Sequence, residues 1–181
     1  MPCLIKQGRK LPCKAAFGGI KNVYLMPFGN IKNVIIDPET CEGTITYSEE
    51  ELQWLKYEVK GASSLDSTIT SSRDAGTTFY QQTLNVTLTY LDACTQQQIQ
   101  VIAQARPNIL VEDYYGNFFL MGRENGCELT SGQIQTGTAP GDLSGFTIVM
   151  EGMEELAPDF IKEAPVNVSS IQIDPTAPSI G

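Results

Sequence analysis

The chain contains no histidine, and that absence removes more chemistry than any residue present suggests. Without an imidazole there is no Ser-His-Asp or Cys-His nucleophile, no histidine-ligated metal and no imidazole base titrating near neutrality. Carboxylate and lysine chemistry are what remain. Glu49, Glu50 and Glu51 form one acidic run, and Glu151, Glu154 and Glu155 form a second. Neither has the glycine-centred spacing of a calcium loop, so a solvated acidic face is the simpler reading of both. Asp37, Glu39 and Asp66 read the same way. Glu151 with Glu154 is the pair an acid–base enzyme would use, but no convergent set of polar groups accompanies it.

The other reactive types are equally bare of partners. Lys56 and Lys60 flank Tyr57, and surface lysine is the plain account of both. Cys3, Cys13, Cys41, Cys94 and Cys127 are odd in number, widely spaced and free of any CxxC, which suggests neither a disulfide framework nor a zinc ribbon. They read as small, reduced, mostly buried apolar residues. The glycines never fall into GxGxxG or a phosphate-binding loop and act as turn makers, with Asp142 in the 141–145 loop placed to satisfy nearby backbone donors. Asn85-x-Thr87 and Asn167-x-Ser169 match glycosylation sequons without a secretory signal beside them. No catalytic residue, cofactor or metal is therefore expected.

With 181 residues the chain is one domain or a domain with an appendage, large enough to bury a real core. Its net charge of −9 argues against a protein that grips nucleic acid by its phosphates, which needs clustered Lys and Arg. No apolar run approaches the length of a membrane span, and residues 1–10 lack the apolar core of a signal peptide. No membrane partner is expected, and a cytosol-like compartment is the default.

Residues 1–19 read as an N-terminal arm and residues 20–163 as a β domain. Short strands are expected over 21–28, 33–37 and 45–47, and residues 52–60 are assigned to strand because Trp54, Tyr57 and Val59 favour it. A single helix is expected over residues 95–105, from the capping-box pattern Thr95-x-x-Gln98 to Arg106 and Pro107, with Ile99, Ile102 and Ala103 on its core face. Gln97, Gln100 and Gln104 are left wet or free to touch a neighbour. Beyond it the chain is a meander: 108–113 and 118–123 around Tyr115-Gly116-Asn117, then a type I′ turn at Asn125-Gly126 into 127–130, then 133–137 and 146–151. Residues 164–181, with Val166, Val168, Ile171 and Ile173 spaced by two, read as an extended tail added to an edge of the fold, as a tail ordered on a neighbouring subunit, or as a partly disordered terminus.

One segment stands apart. Residues 61–82 (GASSLDSTITSSRDAGTTFYQQ) have strand propensity but almost nothing to bury, and they run without a break into 83–90. There Tyr80, Leu84, Val86, Leu88 and Tyr90 alternate with Gln81, Thr83, Asn85, Thr87 and Thr89, the period of a half-buried strand. The base of this ribbon must sit on a core while its tip does not. A two-stranded arm is marginal alone in water and carries unpaired backbone groups along its margins, which favours self-assembly over catalysis.

The runs 131–138 (SGQIQTGT), 141–149 (GDLSGFTIV) and 151–158 (EGMEELAP), with the opening Phe17-Gly18-Gly19-Ile20, resemble structural proteins of tailed bacteriophages. The nearest group is the tail-tube and tail-ring proteins of phages infecting Bacteroides-type hosts, including crAss-like phages. That resemblance implies a mainly β fold, an antiparallel β-sandwich or small barrel with one flanking helix and a long protruding hairpin. It also implies subunits that close into stacked rings, lining a channel through which DNA passes without specific binding. The partners would be copies of the chain and other tail or neck proteins, in the virion tail after assembly in the host cytoplasm. The hairpin reaching the next ring would present Ser63, Ser64, Leu65, Asp66, Thr68, Ile69 and Thr70 on its first limb. Arg73 and Asp74 would lie at its tip, and Thr77 and Thr78 on its return, while Gln97, Gln100 and Gln104 would offer flank contacts from the helix. From the residues alone, a monomeric β-sandwich binding module, carbohydrate-binding or adhesin-like, stays open, with Tyr114, Tyr115, Phe118 and Phe119 as an aromatic platform.

Overall fold

The computed structural model describes residues 9, 17–48, 53–59 and 61–170. Most of the N-terminal arm, the Glu49–Glu51 run, Lys60, Ile171 and Ile173 lie outside the described residues. The described chain is mainly β with one helix. Its elements are β1 (Ile20–Met26), β2 (Ile31–Ile36), β3 (Gly43–Tyr47), β4 (Trp54–Glu58), β5 (Ser64–Ser72), β6 (Thr77–Thr89), α1 (Ala93–Ile102), β7 (Asn108–Asp113), β8 (Phe118–Met121), β9 (Glu128–Gln135), β10 (Gly145–Glu154), β11 (Asp159–Ile161) and β12 (Val168–Ser169).

Two sheets form. The larger runs β12-β4-β1-β7-β8-β11-β3-β2 and the smaller β5-β6-β10-β9. Pairing is antiparallel except at two short contacts, so the expected purely antiparallel arrangement is broken where β11 bridges β8 to β3 and where β12 covers the edge at β4. The tail expected to add an edge strand does so at Val168 and Ser169, beside Trp54 and Leu55.

The larger sheet is rolled. The Trp54 indole N–H in β4 donates to the Tyr47 hydroxyl in β3 at 3.0 Å, although four strands separate the two in the sheet order. Inside the roll Tyr24, Met26, Val34, Trp54, Leu110, Leu120 and Ile161 pack together. On the outside of β1, β7 and β8, Val23, Leu25, Ile109, Val111 and Met121 meet Leu84, Val86, Leu88, Phe146, Ile148 and Met150 of the smaller sheet. Strands β1 and β7 are thus buried on both faces, which is why YLM and ILV read as unbroken apolar runs rather than alternation.

The helix starts earlier and ends earlier than its sequence pattern suggests. Asp92 is the N-cap, its Oδ2 accepting the Thr95 N–H at 2.9 Å and the Thr95 hydroxyl at 3.2 Å, so Thr95 occupies the first turn instead of the cap. The strand before it also stops one residue short. Tyr90 takes a positive φ of 69° and turns outward to 61% exposure, off the face shared by Leu84, Val86 and Leu88.

Asn125-Gly126 is not a hairpin turn. Strand β8 lies in the larger sheet and β9 in the smaller, and the 122–127 segment crosses between them. Side chains from three strands hold it: Gln82 Oε1 accepts the Gly122 N–H at 3.0 Å, Asn108 Nδ2 donates to the Gly122 carbonyl, and Glu154 Oε1 accepts the N–H groups of Glu124 and Asn125 at 3.1 and 2.9 Å. Gln82 also donates to the Leu156 carbonyl at 3.2 Å. A glutamine counted with the solvated ribbon is therefore a fully buried clamp between the sheets.

Two buried carboxylates have opposite electrostatics. Burial works to raise the Glu112 pKa, but donation from Asn22 (2.6 Å), Tyr24 (2.7 Å) and Lys21 (3.1 Å) outweighs it and holds the group below the ordinary carboxylate range. At Glu154 burial wins over its two backbone donors, and the pKa is raised. A lowered folded pKa adds stability above the unfolded value and loses it on acidification; a raised one adds stability at low pH and loses it as pH rises through the folded value. Glu112→Ala is therefore expected to lower the melting temperature at pH 7 by an amount reflecting its two buried donors, Asn22 and Tyr24, left stranded at about 1–3 kcal/mol each, while the exposed Lys21 turns to solvent. Glu154→Gln should melt at or above the wild-type temperature at pH 8, with the gap closing on acidification. Thermal melts over pH 4–8 check both, and a Glu154→Gln variant that loses stability at pH 8 contradicts the assignment.

Gly145 opens β10 where a Cβ would overlap the Leu88 carbonyl oxygen. Gly145→Ala should cost about 1–3 kcal/mol by denaturant titration, the usual penalty for overpacking.

Candidate assembly surface

The ribbon forms the hairpin β5–β6, in unbroken register from Ser64 opposite Asn85 to Ser72 opposite Thr77. Its tip, residues 73–76, closes with Gly76 at a positive φ of 65° and its N–H donating to the Arg73 carbonyl at 3.3 Å. The hairpin is mostly one half of the smaller sheet and less of a free arm than residues 61–82 imply. Strand β10 accompanies β6 as far as Tyr80, opposite Glu154, so residues 70–79 alone extend past it. Thr70, Arg73, Asp74, Thr77 and Thr78 lie on that exposed tip, where the Ser71 and Thr78 hydroxyls bond at 3.0 Å.

The base differs from the tip. Ser63 is buried, its Oγ accepting the Thr87 N–H at 3.1 Å, and belongs to the anchor and not to the projecting segment. Leu65 is half-buried against the core. Ser64, Asp66 and Thr68 are exposed, with Ser64 Oγ donating to Asp66 Oδ2 at 3.1 Å. Ile69 is 61% exposed although it sits on the apolar side.

The register sorts the smaller sheet into two faces. Leu65, Leu84, Met150 and Leu129 share one row, on the side facing the core. The opposite face carries Ser64, Asp66 and Thr68 of β5, Gln81, Thr83, Asn85 and Thr87 of β6, Thr147, Val149 and Glu151 of β10, and Ser131 and Gln133 of β9. It is a plane of hydroxyls and amides with a few carboxylates. None of the four strands contains a lysine or arginine, and Arg73 at the tip is the one cation of the hairpin.

Both margins of this sheet are open among the described residues: β5 pairs only with β6, and β9 only with β10. Tyr90 N–H donates to the Ser144 carbonyl at 2.8 Å, so the even-numbered residues of β6 turn their backbone groups toward β10. Alternation then directs the backbone of Leu65, Ser67 and Ile69 outward on one margin and that of Gly132 and Ile134 outward on the other. The two margins run in opposite directions because the sheet has four antiparallel strands. Beneath the β5 margin is a largely apolar groove of about 520 Å³, whose walls include Leu65, Ser67, Phe119, Pro158 and Phe160. Phe160 is 50% exposed there, its ring tilted at 60° against Phe119 with centroids 4.7 Å apart. The far margin shows Ile134 at 56% exposure.

The other candidate constellations disperse. Glu151 and Glu154 lie on opposite faces of β10, which separates the carboxylate pair. Phe118 packs inside the roll and Phe119 outside it, so the two do not join the exposed Tyr115 in one platform. Gln97 and Gln100 of α1 and Gln104 in the turn after it are exposed, as expected, while Gln98 accepts the Tyr57 hydroxyl at 2.8 Å. Ala103 is exposed and off the core face it was expected to share with Ile99 and Ile102. No group of three or more metal-ligating side chains occurs among the described residues. Asp142 does what its loop position suggests, accepting the N–H groups of Thr138 and Ala139 at 2.9 and 2.8 Å. Compared with known proteins, the chain matches no family model, no curated protein and no solved structure.

Proposed function

We propose that this chain is a non-enzymatic structural subunit that closes into homo-oligomeric rings, stacked as part of a phage tail tube or neck through which DNA passes. One observation carries the reading: a four-stranded sheet with two open margins of opposite direction and an outer face free of cations. A copy rotated about an axis roughly along the strands presents β5 antiparallel to β9, so head-to-tail pairing repeats without breaking the alternation and closes when the rotation does. The cores of all copies then lie outside the ring and the polar faces line the channel. A wall of Ser, Thr, Asn and Gln with Asp66 and Glu151 offers DNA phosphates no cation to exchange for counterions, so the duplex slides. The hairpin tip, extending beyond β10, is placed to reach the next ring.

Negative-stain microscopy with mass measurement across a concentration series tests the reading. Rings or tubes are expected, and a stable single subunit at millimolar concentration overturns it. Replacing residues 71–78 with Asn-Gly should leave rings that no longer stack, since the core-packed Leu65 and the ladder below Ile69 are kept. A separate test concerns the channel. Thr83→Lys with Asn85→Lys should leave assembly intact while making the rings retain DNA in a salt-dependent way, with wild-type rings retaining none. A cationic face without DNA retention would remove the polar face from the channel wall.

A further inference from the structure

The register of the four strands constrains how one copy meets the next. Resting on the ring reading above, we propose that β9 of a second copy pairs with β5 in one register: Leu65 with Ile134, Asp66 with Gln133, Ser67 with Gly132 and Thr68 with Ser131. In that seat Ile134 of the second copy covers the groove at Phe160.

Four features together select this register. The first is overlap. Across one copy the row Ser64, Asn85, Val149, Ser131 is level, so a neighbour set down with no offset would place Ser64 beside Ser131 and pair only half of each margin. An offset of four residues sets Ser64 beside Gln135 and pairs β9 along its whole length with β5. The same offset in the opposite sense slides the strands past each other.

The second is direction. Leu65 and Ser67 turn their backbone groups outward on one margin and Ile134 and Gly132 do so on the other, so the ladder closes only when odd positions of β5 meet even positions of β9. The third is side-chain fit. Leu65 and Ile134 both face the core side, and the bulge at Thr130 carries Leu129 toward the exposed Ile69 on that same side. The pairing removes from water three exposed apolar side chains, Ile69, Ile134 and Phe160. Asp66 and Glu128 stay well separated along the margin, so no like charges face each other.

The fourth is closure. A sheet rolls into a barrel only with a stagger, and strands tilted by about 36° need roughly one residue of stagger per strand. Four strands per copy require about four residues, the smallest offset that pairs β9 along its whole length.

Cysteine pairing reads the register directly. In a background with Cys3, Cys13, Cys41 and Cys94 changed to serine, Asp66→Cys with Gln133→Cys occupies a non-hydrogen-bonded pair, where Cα atoms sit about 4.5 Å apart and a disulfide fits. Mild oxidation of assembled protein should give a ladder of covalent multimers on a non-reducing gel, while Thr70→Cys with Gln133→Cys should give none. Rings that cross-link through the second pair, or through neither, overturn the register and leave the ring reading standing. Wild-type protein that never assembles ends the ring reading itself. Ile134→Asp, at an exposed position, should keep the wild-type melting temperature and raise the concentration needed for rings at least tenfold, and unchanged assembly of that variant also overturns the proposal.

Discussion

A β-strand's backbone can bond to a neighbour on each side, and β5 and β9 each have one neighbour within the described chain. Most of what is distinctive in this molecule follows from that. The two margins are long, oppositely directed and nearly uncharged. Among the described residues β5 carries no lysine and no covering helix, and Asp66 is its one charge. The one irregularity is the Thr130 bulge in β9. Under the proposed reading such open margins are a joining surface, and the serine and threonine content of β5 keeps them wet until a copy arrives.

The rest of the fold holds that sheet at a fixed attitude. Its core face is riveted to the rolled sheet by Leu84, Val86, Phe146, Ile148 and Met150. Polar contacts then lock the rotation: Gln82, Asn108 and Glu154 grip the crossover at residues 122–127 from three different strands. The rolled sheet is closed by its own interior and by the Trp54 to Tyr47 bond. The smaller sheet reaches no farther than β5, and the larger sheet continues beyond it with Phe160 uncovered. The groove is the step between two sheets of unequal width.

Much of this was legible from residue types. The alternation of Leu84, Val86 and Leu88, the emptiness of the ribbon, the Asp142 loop and the existence of one helix all follow from local pattern, because each depends on residues close in the chain. Errors arose where a distant group changed the local meaning. Asp92 took the cap from Thr95. Tyr90 left the strand through a positive φ. Asn125-Gly126 has the residues of a hairpin turn, but the strands on its two sides are claimed by different sheets. Gln82 looked solvated because nothing near it in sequence reveals the Gly122 N–H that it satisfies.

Residue types alone established a β-rich chain without imidazole chemistry, a cation-free set of strands and a hairpin with little to bury, since composition and period-two patterning are properties of neighbours along the chain. Tertiary structure alone decided that those strands form one sheet with two open margins, that Phe160 and Ile134 stand exposed at its two sides, and that Glu151 and Glu154 face apart. Strand order and register are set by long-range pairing, in which each strand's partners are chosen by burial and backbone hydrogen bonding across tens of residues, and no local window contains that choice.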